Sequence, residues 1–318
     1  MTLTVNGPTY RYQNEVLEKP ELILVRDHHY NETDRCFHLK KLLENSKCDP
    51  RLHTVIFDHV NIHDDEMQGY NFIYYPGFLA REEKEFNNQS IKINWNNRKS
   101  LFNFIINKPR PHRKILLELI DQFSLTHYTY SLAWKENDVN TIRVTNYKFG
   151  DEIEMDKGVK NGNYKNALTY DRLLKTTVFE PSCVSLITEP VFFELESILS
   201  EKTIMSIYSG TFPIWIGGWR CADALEQFGF DTFTDIIDHG YQTEPHPVER
   251  CRQAIQLNLE LLTNLERTLN LVETCRSRFE NNLNLLRTNV FSRACKTIIE
   301  KQTNFQTVNG LKMLFNGT

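Results

Sequence analysis

The chain has 318 residues, 40% of them apolar and 12% aromatic, which is enough to bury one large core or two ordinary ones and excludes a disordered chain. Its 37 Lys and Arg against 41 Asp and Glu leave a formal charge of -4, which excludes a general polyanion binder and confines any basic patch to a local pocket. Seven cysteines without C-x-x-C spacing exclude a zinc knuckle and a disulfide framework, and they read as the reduced thiols of a cytoplasmic protein.

The first residues lack the charged-then-apolar pattern of a signal peptide, and no window holds a membrane-length apolar run, so no membrane span is expected. Two apolar runs, 21–29 and 54–60, have strand length and carry Asp-His towards their ends, the pattern of buried parallel strands whose carboxyl ends face a cleft. Residues 38–46 supply a crossover helix between them, and 70–78 reads as a third strand. Asp27, His28, His29, Asp58, His59, His63, Asp64 and Asp65 could be drawn as a metal site. Polar residues collect at strand ends in any α/β domain, however, and none of these spacings is diagnostic, so no metal is expected. One of these groups is better suited to act as a general base in a cleft.

Residues 81–99 are polar and place a domain boundary near residue 98. LFNFI (101–105) then opens a strand that leads through NKPRPHRK (107–114) into an amphipathic helix. A basic turn between a strand and a helix start can hold a phosphate through Arg110, His112 and Arg113, or it can be a solvated surface turn. The polar segment 135–171 reads as an excursion with little core. CVSLITEP (183–190) is a strand, and SEKTIMSIYSGTFPIWIGG (200–218) is a helix followed by another strand. Glu201 and Lys202 open that helix: they face a cleft, or they are an acid at the positive dipole end beside an exposed lysine.

From residue 248 onward, Leu262, Leu265, Leu269, Val272, Phe279, Leu283, Leu286 and Val290 keep a 3-and-4 spacing, with Arg276 interrupting the seam. Either a helical tail packs on the preceding domains, or one long helix or a helix pair forms a homodimer. P-loop, dinucleotide-binding, zincin, nucleophile-elbow and D-x-D signatures are all absent.

LITEP followed by SEKTIMSIYSGTFPIWIGG resembles the donor-binding core of the α1,3-fucosyltransferase family. There a strand ending in F-E-N-S precedes a T-E-K helix and a strand of the type V-P-I-x-x-G. Glu189 matches the first acid, Glu201 and Lys202 the E-K pair, and Gly210, Pro213 and Gly217 the residues around the next strand. LFNFIINKPRPHRKILLEL is similar to the family's strand, S-N and arginine, with Asn107 and Arg113 in the matching places. The segment 229–241 also looks like parts of uncharacterised, often phage-encoded, glycosyltransferase-like proteins.

The resemblance covers about a quarter of the chain and implies an α/β fold of two Rossmann-like domains in a GT-B arrangement with a helical C-terminal extension. The expected divisions are an acceptor domain at 1–97, a nucleotide-sugar donor domain at 98–247 and C-terminal helices at 248–318. The implied activity is metal-independent, cofactor-free transfer of a sugar from a nucleoside-diphosphate donor to an acceptor. Asn107, Arg110, His112 and Arg113 would bind the donor together with Glu201, Lys202 and Thr203. Glu189 and Glu201 would hold sugar or ribose hydroxyls, and Asp27, His28 or His29 would activate the acceptor. T-E-P stands where the family has F-E-N-S, so its base and sugar contacts do not carry over. A silent binding protein on the same fold, or an enzyme acting on modified DNA bases, are the other expectations.

Overall fold

The computed structural model describes residues 2–6, 22–26, 44, 54–57, 71–74, 76–88, 92–106, 111–132, 150–152, 179–189 and 198–302. The chain divides into two compact units, 1–81 with 289–318 and 82–288. The boundary expected near residue 98 therefore falls inside the second unit, and 248–288 belong to that unit while 289–318 go with the first.

The first unit holds a parallel sheet of strands β1 (Thr2–Asn6), β2 (Leu22–Arg26), β3 (Thr54–Phe57) and β4 (Asn71–Tyr74) in the order of the chain. The register is continuous, with Leu24 opposite both Thr4 and Ile56. The two strands expected from apolar runs are β2 and β3, whereas the run at 70–78 contains strand β4 and the start of helix α1 (Gly77–Asn87). Much of the expected polar linker is thus helix. Its apolar members explain why: Leu79 and Phe86 are buried seven positions apart, and Phe86 stacks on Tyr208 with ring centroids 4.7 Å apart.

The second unit is built on a parallel sheet of β5 (Ser100–Ile106), β6 (Tyr128–Leu132), β7 (Gly150–Glu152), β8 (Ser182–Ile187) and β9 (Phe212–Trp215), in the spatial order β7-β6-β5-β8-β9. The central pair, β5 and β8, is buried along its whole length, which is why both strands read as largely apolar runs, with Asn103 and Ser185 hydrogen-bonded to each other inside. Strands β6 and β7 lack such runs, and the sequence pattern did not single them out. Helix α2 (Pro111–Gln122) starts with proline, whose fixed φ suits a first helical position.

Helix α3 (Glu201–Ser209) is delimited by strong local signals. Ser200 caps its start by accepting from the Lys202 N–H, and Gly210, at φ +63°, closes its end by donating to the Ser206 and Ile207 carbonyls. All of α3 except Glu201 is buried. Ser206, Thr211 and Ser185 share hydroxyl hydrogen bonds of 2.7 to 2.9 Å, and Asn103 joins them at 3.1 Å, so the polar groups under the helix are satisfied internally.

Helix α4 (Cys221–Glu226) follows β9, and α5 (Pro247–Leu257) packs on α2. Beyond them the chain forms α6 (Leu259–Thr263), α7 (Leu265–Thr274), α8 (Arg276–Arg287) and α9 (Val290–Gln302). The expected long helix or helix pair is therefore a series of short ones. Asn264 breaks it by capping α7 through the Arg267 N–H. Leu262, Val272, Phe279, Leu283 and Leu286 are buried, with Leu265 and Leu269 packed at the margin of the core of this same chain. The apolar spacing that suggested a seam is thus used to cover the sheet. Among the described residues no helix is long and apolar enough to cross a membrane, and no three metal-ligating side chains cluster.

Candidate functional site

In the second sheet the chain runs outward from β5 to β6 and β7, then returns to the other side of β5 for β8 and β9. The order reverses between β5 and β8, and ligands of open parallel α/β sheets bind outside the carboxyl ends of the strands at such a reversal. Strand β5 leads there towards the start of α2, and β8 leads to Thr188, Glu189 and, farther along the chain, the start of α3. The parallel register sets Phe102 opposite Val184, so both carboxyl ends point the same way.

Arg113, in the first turn of α2, donates to the Thr188 carbonyl at 3.5 Å and is only 4% exposed. On the other side of the reversal, Lys202 Nζ lies 2.8 Å from Glu201 Oε1, with the lysine side chain 9% exposed and the glutamate 23%. Lys202 is therefore no solvated helix-start lysine. Burial pushes the Glu201 carboxyl up, but the Lys202 ammonium, a hydrogen bond from it, the glutamate's own N–H and the Arg113 guanidinium outweigh that and hold it below the usual carboxylate range. Two cations from opposite sides of the reversal thus act on one carboxylate.

Glu189 behaves differently. It is 1% exposed, and its Oε1 accepts from the Ser200 N–H at 3.0 Å and from the Thr203 hydroxyl at 2.7 Å. Its Oε2 is buried with no hydrogen-bond partner among the described residues. Burial raises its pKa against the pull of Lys202, Ser200 and Thr203, towards the neutral acid. Two carboxyl groups of one site are therefore driven apart, Glu201 towards the anion and Glu189 towards the acid.

Thr203 serves the interior. Its hydroxyl donates to Glu189 and accepts from the Trp215 indole N–H at 2.9 Å, and the residue is 1% exposed. Its two hydrogen bonds brace the ends of β8 and β9. His112 is also buried, at 1% exposure. Asn107, Arg110, Asp27, His28 and His29 lie outside the described residues. So do Asp58, His59, His63, Asp64 and Asp65.

Sequence reasoning missed Ser200, although a serine directly before an acid-led helix is a capping signal. It also missed Trp215 and Thr188. No sequence signal could have found these: an indole bonded to a threonine twelve positions away, and a carbonyl facing an arginine 75 positions away, exist only in the fold. The loop after β9 is held just as closely. The buried Arg250 donates to the Gly217 carbonyl at 3.0 Å, and a Cβ on Gly218 would collide with Cys221 Sγ.

Three backbone N–H groups at the start of α3 are already engaged. Ser200 N reaches Glu189, Lys202 N reaches the Ser200 hydroxyl, and Thr203 N reaches the Ser200 carbonyl. An anion arriving here meets side-chain cations instead of a free helix terminus.

No protein-family model matches the chain, and no curated protein does. Among solved structures, it is similar to a DNA-modifying β-glucosyltransferase crystallised in the presence and absence of uridine diphosphoglucose. The two are 10% identical over 88% of this chain and 83% of that one, with a TM-score of 0.35. A likeness of that size carries no assignment.

Proposed function

We propose that the protein is a glycosyltransferase that moves a sugar from a nucleoside diphosphate to an acceptor, with Arg113 and Lys202 as the cations for the diphosphate. The observation that carries this reading is the buried Lys202 ammonium 2.8 Å from Glu201 at the reversal between β5 and β8, with the buried Arg113 guanidinium on the other side of that reversal. The resemblance to the α1,3-fucosyltransferase donor core, which rests on these same residues, adds to it.

In the reaction, an acceptor oxygen forms a bond to the anomeric carbon while the bond from that carbon to the diphosphate oxygen breaks. The leaving diphosphate keeps the electron pair, and a basic side chain takes the acceptor proton. Fixed cations in a shielded site stabilise the developing charge without reorganising. In the present reading Arg113 and Lys202 supply that stabilisation in place of a metal. Asp27, His28 and His29 are the proposed sources of the base, and Asn107 and Arg110 the proposed further donor contacts. Ser200, Glu189 and Thr203 hold the first turn of α3 in place.

Titration calorimetry with a panel of nucleoside diphosphates tests the reading. At least one should bind, with equal affinity in the presence of EDTA. Because Lys202 is buried, Lys202→Met is the suitable variant, since it retains the stem and removes the charge. A charge-assisted hydrogen bond contributes about 1.5 to 3 kcal/mol, so affinity should fall roughly ten- to a hundredfold. Binding that vanishes with EDTA, or that is unchanged in folded Lys202→Met protein, would count against the assignment.

A further inference from the structure

We propose that Glu201 is a displaceable counter-ion: its carboxylate occupies the cationic position that the donor diphosphate takes, and it must leave the Lys202 ammonium when the ligand arrives. This rests on the donor-site reading above and changes the role of one residue in it. The family resemblance would make Glu201 an acceptor for sugar or ribose hydroxyls. The geometry points elsewhere.

Three observations carry the inference. Glu201 already draws on both cations of the proposed donor site, at 2.8 Å from Lys202 Nζ and with the Arg113 guanidinium also pulling its pKa down. The N–H groups of Ser200, Lys202 and Thr203 are engaged with Glu189 and Ser200, so these backbone donors are already committed within the protein. Finally, Glu201 is the one residue of α3 that is not buried, and its carboxylate is held by the Lys202 ammonium at the solvent-facing start of the helix, so it can swing outward without unpacking the helix.

The physical logic follows from burial. A lysine held at 9% exposure without a compensating anion is costly, because its desolvation is not offset. Glu201 supplies that compensation in the free protein. A ligand with higher charge density then replaces it, and the carboxylate is released to water. The arrangement keeps the cationic site folded and discharged when empty, and it lowers the affinity for the diphosphate by the free energy of the displaced pair.

Glu201→Gln keeps the shape and removes the competing charge. Calorimetry would compare wild type and variant for inorganic pyrophosphate, for the nucleoside diphosphate selected by the panel, and for its free nucleoside. The expected result is binding of both phosphate ligands that is about three- to tenfold tighter, with nucleoside affinity unchanged. The gain should disappear in the Lys202→Met background, because the competition runs through that ammonium. Weaker or unchanged diphosphate binding by folded Glu201→Gln protein would overturn the inference, as would a fall in nucleoside affinity, which would mark a ribose contact. A gain undiminished by Lys202→Met would also overturn it, since that is a field effect without displacement. If wild type and Glu201→Gln both fail to bind pyrophosphate and every diphosphate, the donor site itself has failed, which the other outcomes leave standing.

Discussion

Thr203 illustrates how one hydroxyl couples three parts of the site. It gives its proton to Glu189 at the end of β8 and takes one from the Trp215 indole at the end of β9, while it belongs itself to the first turn of α3. Valine has nearly the same shape and no hydroxyl. Thr203→Val should therefore leave a buried indole N–H without its acceptor and Glu189 with one donor fewer, at a cost of about 1 to 3 kcal/mol. Denaturant melts of the two proteins measure it, and a difference below roughly 0.5 kcal/mol would mean that the brace does not stabilise the fold. Nothing local in E-K-T distinguishes an inward threonine from an outward one. A threonine in a first turn can face either way, and only the position of Trp215 decides.

At the scale of elements, Arg98 ties the far end of α3 to the start of β8. Its guanidinium donates to the Gly210 carbonyl at 3.1 Å and to the Phe179 carbonyl at 3.4 Å, with further bonds to the Ser182 and Ser209 carbonyls. Burial lowers its pKa to about 10, still far above neutral, so it remains charged and faces the negative end of the helix dipole. Arg98→Met should lose charge-assisted bonds and leave buried carbonyls unpaired, at about 2 to 4 kcal/mol. Hydrogen exchange should show the loss first at the end of α3 and the start of β8. Uniform loosening across the second unit would argue against a local clamp. Helix α3 itself was legible, because its start and its closing glycine are local signals. Arg98 was hidden in a stretch that read as linker.

For the molecule as a whole, acid sensitivity should include a component from His239. Its Nε2–H donates to the Thr232 carbonyl at 2.9 Å, and its Nδ1 accepts from the Gln242 amide at 3.1 Å, while Gln242 Oε1 holds the Ala222 N–H at the start of α4. Trp215 and Tyr241 face its ring. Burial lowers its pKa from 6.5, against the opposing pull of the Thr232 carbonyl and of Glu226, Asp238 and Asp223. The unfolded chain therefore takes the proton first as pH falls. Stability contributed by neutral His239 is complete above about 6.5 and is lost as pH drops towards the lowered value. Unfolding free energy measured between pH 8 and pH 5 should decline less steeply for His239→Asn than for wild type, by roughly the contribution of one histidine. Parallel profiles would remove His239 from the account.

The sequence alone determined the elements whose information is local. Apolar runs of strand length marked β2, β3, β5 and β8, and for β5 and β8 the reason is that strands buried on both faces carry mostly apolar side chains. The acid-led start and the glycine at the end delimited α3 because helix termini must satisfy their own N–H and C=O groups. Tertiary structure decided everything that depends on which strands are neighbours. The pairing of β5 with β8 brings Arg113 to the Thr188 carbonyl across 75 positions, and no spacing along the chain encodes that pairing. The apolar 3-and-4 spacing after residue 248 was equally visible, yet it is compatible with a seam between chains and with a cover over a sheet. Asn264 and the turns around it chose the second by breaking the helix, so that Leu262, Val272 and Phe279 could reach the core of their own unit. Side-chain periodicity specifies that a face must be buried, and only the folded chain specifies against what.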